Sequence, residues 1–180
     1  MKIILFISLF IILSGCGAGN IPKDSATLQS NVMIRNDNFS NQTWIETPLY
    51  LSRTGFTDTF PVRIKFRASY KDGSREFIQL YVTKTDVSWG FYHSANGEDQ
   101  YKFEFLKIDG NVDADYTLGS VTTKEHFGLG FSIDYLKKMS AKDWKIKVYG
   151  KKNEGVFNVP KLLSEAFLAK LICFEENKCN

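Results

Sequence analysis

Between Pro61 and Tyr70 the chain alternates without a break. Val62, Ile64, Phe66, Ala68 and Tyr70 are apolar, and Arg63, Lys65, Arg67 and Ser69 stand between them. A period of two with polar groups on one side marks a strand with one buried and one wet face. Lys71-Asp72-Gly73-Ser74 follows, and Asp-Gly supplies the positive φ of a tight hairpin. Glu76 to Lys84 then returns, with Ile78, Leu80 and Val82 on one face and Phe77 and Tyr81 on the other. A chain built on this hairpin has to bury one side of an antiparallel sheet.

The same signal recurs elsewhere. Gln42 to Glu46, centred on Trp44, reads as an earlier strand, and Leu49 to Ser52 continues it after Pro48. Val87, Trp89 and Phe91 mark another strand, Ala95 to Glu98 a turn, and Tyr101, Phe103 and Phe105 the strand after it. Phe127 to Phe131 is a strand whose glycines admit a bulge or bend. Ile133 to Met139 is a short helical turn. Trp144, Ile146 and Val148 alternate with Lys145, Lys147 and Tyr149, and a Lys151–Gly155 hairpin leads to Val156, Phe157 and Val159. Pro160 suits a first helical position, and the segment to Ile172 carries a broad apolar stripe at helical spacing. Phe 15 and Tyr 8, with many Val, Ile and Thr, favour strands throughout. The expected fold is mainly β: an antiparallel β-sandwich or small barrel of about seven to nine strands, with a C-terminal amphipathic helix packed on it.

The chain start carries a different message. Lys2 precedes an apolar run from Ile3 to Leu13, and Leu13-Ser14-Gly15-Cys16 ends it. A charged start, a short apolar run and small residues form a secretory signal, too short to span a bilayer of about 20 apolar residues. The closing tetrapeptide resembles the lipobox of bacterial lipoproteins. The resemblance implies cleavage before Cys16 and a diacylglyceryl group on its thiol, hence stable anchoring to a membrane. It also implies the outer membrane, facing the periplasm, because Gly17 stands where an Asp commonly retains such proteins in the inner membrane. A Gram-positive source would place the protein on the outer face of its one membrane. The expected organisation is a cleaved signal over 1–15, a lipidated flexible tether over 16–31 and a single β-rich domain over 32–180. A coil of about 15 residues reaches roughly 20 Å, enough to hold the domain off the headgroups.

A formal charge of +3 is too balanced for a nucleic-acid binder, and no nucleic acid is expected as a partner. Cys173 and Cys179 remain once Cys16 is lipidated, and an oxidising compartment favours a disulfide between them. Catalytic and metal motifs fall short. Asp109, Asn111, Asp113 and Asp115 alternate as in a calcium loop, but Ala114 and Ser120 occupy the EF-hand glycine and glutamate positions. That stretch reads as a solvated turn. Gly130-Phe131-Ser132-Ile133-Asp134 lacks the last glycine of a nucleophile elbow, so Ser132 reads as a strand end or helix cap. His93 and His126 show no metal-ligand spacing. No cofactor and no metal are expected.

One electrostatic feature stands out. Arg63, Lys65 and Arg67 share one strand face, Lys145 and Lys147 share another, and Lys151 and Lys152 follow at a turn. If the two strands are neighbours, these cations form one basic plate for lipid phosphates or an acidic protein. The resulting expectation is a non-enzymatic, membrane-anchored envelope lipoprotein that binds another envelope protein or component. The alternative is a carrier or sensor of a small apolar ligand lined by Trp44, Trp89 and Trp144, with a hydrolase third.

Overall fold

The hairpin at Asp72-Gly73 organises the molecule, with φ of 50° and 77° at its two turn residues. A computed structural model describes residues 19–52, 60–115 and 119–179. On either side of the turn run β5 (Val62–Lys71) and β6 (Ser74–Asp86). The edge of β5 is shared by β3 (Gln42–Glu46), along Arg67 to Lys71, and β4 (Tyr50–Ser52), along Val62 to Ile64. Pro48 divides β3 from β4, and Thr47 bridges the gap with backbone and hydroxyl bonds to Phe66. Outside them lie β2 (Met33–Asp37) on β3 and β1 (Gly19–Asn20) parallel to β4. Beyond β6 come β9 (Ser120–Gly130) and β8 (Glu104–Asp115). A smaller antiparallel sheet has the order β11 (Glu154–Val159), β10 (Trp144–Gly150), β7 (Tyr92–Gly97). Three helices complete the described chain: α1 (Ser25–Ser30), α2 (Ile133–Met139) and α3 (Lys161–Glu175).

The core lies between one face of the large sheet, the small sheet and α3. Val62, Ile64, Phe66, Ala68 and Tyr70 of β5 are all buried, as the alternation requires. Phe66 stacks on Phe167 of α3 at 5.1 Å between ring centroids and meets Trp144 of β10 at 6.5 Å. Each fully buried aromatic or aliphatic side chain contributes about 1.5–3 kcal/mol. A serine interrupts the helix stripe because the indole N–H of Trp144 donates to Ser164 Oγ at 3.0 Å. The disulfide Cys173–Cys179 ties the chain end to the last turn of α3.

The mainly β, sandwich-like architecture with its C-terminal helix is the one the alternation predicts. Eleven strands are described rather than seven to nine. Four local readings need correction. The tether does not run to residue 31: β1 pairs with β4, and α1, capped by Asp24, buries Leu28 against the core. Val87, Trp89 and Phe91 are not a strand but a connection, and the strand comes after it at Tyr92–Gly97, where a turn was expected. Residues 109–115 are strand rather than turn, paired along their whole length with β9. Pro160 caps α3 from outside, so the helix starts at Lys161. Among the described residues no helix is long and apolar enough to cross a membrane.

Candidate functional site: the outer face of the large sheet

The residues of β5 that point away from the core meet their cross-strand neighbours in rows. Register places Glu46, Arg67 and Gln79 side by side, with Trp44, Ser69 and Phe77 in the next row and Lys65 beside Tyr81. On β9 the same face carries Gly128 beside Tyr81 and His126 beside Thr83.

Arg67 is the centre of this face. Its Nε and Nη2 both donate to Gln79 Oε1, at 2.8 and 2.6 Å. Its guanidinium lies 5.6 Å from the ring of Trp44 and 4.8 Å from that of Tyr81. Gly128 leaves the room this needs, since a Cβ there would strike the Gln79 amide. Partial burial works against the charge and lowers the pKa of Arg67, while Tyr81 and Glu46 offset part of that effect. No carboxylate of the described residues makes an ion pair with Arg67. The neighbouring carboxylate of Glu46 is already engaged, by Lys65 at 2.6 Å and Arg35 at 3.1 Å.

Two further groups flank this centre. The Tyr81 hydroxyl and His126 Nδ1 share a hydrogen bond at 2.7 Å, with Thr83 Oγ1 at 3.2 Å from the same nitrogen. Burial lowers the pKa of His126; Asp109 counteracts that and Lys124 adds to it. On the other side, Trp44 donates to Gln42 at 3.1 Å and packs edge-on to Phe77 at 5.7 Å. Beside Trp44 opens a groove of about 470 Å³ lined by Arg35, Asn36, Asp37, Asn38 and Phe39. The whole arrangement suits recognition. A guanidinium fixed in plane by an amide and faced by two rings is preorganised for a planar anionic partner.

The expected basic plate is not formed. Arg63, Lys65 and Arg67 stand on the outer face of the large sheet, whereas Lys145 and Lys147 belong to the small one. The strands are not neighbours because β10 pairs with β7 and β11 instead. Lys147 is paired with Glu154 at 2.8 Å, and Lys151 and Lys152 sit at the β10–β11 turn. Cys16 lies outside the described residues. Ser132 caps α2, accepting from the Tyr135 N–H at 3.2 Å. The three tryptophans do not converge: Trp144 is in the core, Trp44 on the outer face, and Trp89 packs against Gly110. Sequence pattern does not single out Gln79, Glu46 and Arg35 as site residues, and it weighs His126 only as a catalytic or metal-ligating group. The signal available for them was Phe77 and Tyr81, aromatic side chains on the face that ought to be wet.

No family model, no curated protein and no solved structure matches this chain.

Proposed function

We propose that this protein is a lipid-anchored component of a bacterial envelope, without catalysis of its own, that binds another envelope protein through the outer face of its large sheet. The observation that supports this is the state of Arg67: half-buried, braced by Gln79, faced by Trp44 and Tyr81, and without a carboxylate partner among the described residues. Arg, Trp and Tyr are the residue types that dominate interface hot spots, where they cluster with polar groups around them. The lipobox at Leu13-Ser14-Gly15-Cys16 supports the anchor, and Gly17 supports the outer membrane.

A photo-crosslinking side chain in place of Phe77, in cells making the full chain, tests the partner. One specific protein adduct is expected, and it should vanish in an Arg67→Ala background. A face that yields only random adducts, or the same adduct without Arg67, contradicts the reading. For the anchor, Cys16→Ala should leave the chain unprocessed or release it from the membrane fraction; wild-type protein recovered wholly in the soluble fraction contradicts it.

A further inference from the structure

We infer that one end of the molecule is a membrane contact that supplements the lipid, an apolar and cationic tip that enters the headgroup layer of an anionic bilayer. The inference rests on the anchoring reading for its orientation.

The tip is where β4 ends at Ser52, β5 begins at Val62 and β6 ends at Asp86. Two segments bring exposed apolar groups there. Val87 is 80% exposed and Phe91 39% in the β6–β7 connection, and the β8–β9 arm carries Val112 and Val121 on one face, 56% and 57% exposed. The last pair between β6 and β9 is Asp86 with Thr123, whereas β8 and β9 stay paired to Asp115 and Ser120. The arm therefore projects roughly 10 Å past the sheet.

The connection is held rigidly, which an idle loop would not require. The buried carboxylate of Glu125 accepts from the N–H groups of Gly90, Phe91 and Tyr92 at 2.6, 3.2 and 3.2 Å. The β10–β11 turn is bound to it as well, by Lys151 N–H to Phe91 O and Lys152 N–H to Gly90 O at 3.3 and 3.1 Å. This sets the Lys152 ammonium 5.6 Å from the Phe91 ring.

Charge complementarity identifies the occupant. Of the acidic side chains described at this end, Asp86 is matched by Lys84 at 3.2 Å, Asp113 by Lys124 at 2.5 Å and Glu154 by Lys147 at 2.8 Å, while Glu125 is buried on its three N–H groups and Asp109 accepts from the Gly110 N–H at 2.7 Å. Lys151 and Lys152 are exposed and have no carboxylate partner among the described residues. Exposed apolar side chains beside unmatched lysines suit an interface of anionic headgroups over acyl chains.

The chain start lies within reach of the same end. Gly19 lies beside Tyr50, two residues before the end of β4, and β1 runs parallel to β4 toward that end, so the chain enters the sheet from the opposite side. Only two residues separate Cys16 from Gly19, so their Cα atoms are at most about 11 Å apart. Cys16 is then within about 20 Å of Ser52, a span short enough for the lipid and the tip to meet one bilayer with the sheet on its end and its outer face open to a partner.

A polarity-sensitive fluorophore on Val87→Cys tests this in the full-length protein, with Phe39→Cys, at the far end, as control. In vesicles of phosphatidylethanolamine and phosphatidylglycerol the label at 87 should shift to the blue and brighten several-fold, while the label at 39 stays water-like. Omitting phosphatidylglycerol, or substituting Lys151→Ala and Lys152→Ala, should return most of that signal, at about fivefold in affinity per lysine. Equal responses at 87 and 39 overturn the inference, and so does a response at 87 indifferent to both lipid charge and lysines. Intact mass of the same preparation reports on Cys16 separately: a bare thiol sinks the anchor while the label still decides the contact.

Discussion

The two faces of the large sheet are made by the same strands and obey different physics. On β5, Val62, Ile64 and Phe66 are sealed at 1% exposure or less, against α3 and the small sheet. Of their neighbours, Arg63 is exposed, and Lys65 and Arg67 bond, among the described residues, to side chains of their own sheet. The inner face holds the fold by area removed from water. The outer face contributes little of that, yet it is ordered by ion pairs, amide bonds and ring contacts that lock Arg67 in place. A wet face needs no such order. The contrast therefore separates residues that keep the protein folded from residues that give it something to bind.

The largest effect should come from the inner face. Phe66→Ala removes the ring that packs on Phe167, Phe131 and Trp144, and should cost about 3–5 kcal/mol in urea unfolding. The crosslink from the outer face should persist wherever that variant is still folded. Loss of the adduct in a folded Phe66→Ala protein would break the distinction between the faces.

Glu125 sharpens it, because this carboxylate is on the inner side of β9 and is buried. Glu125→Ala leaves three N–H groups of the β6–β7 connection without their acceptor and should cost about 2–3 kcal/mol. Hydrogen exchange at residues 90–92 should accelerate more than at β5, whereas a uniform loss of protection would mean that Glu125 supports the whole core.

Arg67→Ala is the converse case. It should change stability by no more than about 1 kcal/mol, since its bonds are to a neutral amide at a half-open site. The partner adduct should nonetheless disappear. Arg67→Lys should restore the charge but not the fork that grips Gln79, and so recover binding only in part. Full recovery by lysine would reduce the site to simple charge.

The inner face was the legible one. β5, β10 and β11 show their period because burial falls mainly on every second residue, and β6 keeps it in Ile78, Leu80 and Val82 although Gln79 and Thr83 on the other face are buried too. β2 is mostly exposed, so nothing imposes alternation from Met33 to Asp37. α1 has six residues and buries only Leu28, too little for a helical stripe. Val87, Trp89 and Phe91 mimic a strand, but Phe91 has a φ of 55° and the Glu125 carboxylate holds the turn. The charged run at 109–115 extends past the core, where a strand can be polar on both sides. Of the site, the cations of β5 could be read directly. Their partners Gln79, Trp44 and Glu46 follow from register between strands, and local pattern does not carry that.

The smallest effect is a proton on the outer face. Burial holds the pKa of His126 below its ordinary 6.5, so the folded state favours the neutral ring that bonds Tyr81 and Thr83. Asp109 on β8 opposes that shift, while Lys124 on β9 reinforces it, and burial prevails. The unfolded chain therefore takes up the proton first as pH falls. The contribution of His126 to stability is intact above about 6.5 and is lost below it, as the folded pKa is passed. The carboxylates are common to both proteins, so the difference between wild type and His126→Asn isolates the ring: the gap in unfolding free energy between the two, from urea titrations, should narrow from pH 7.5 to pH 5.5 by well under about 1 kcal/mol, as for a half-open site. A gap that widens on acidification would mean that the charged imidazolium is the form held by this face, with Asp109 prevailing over burial.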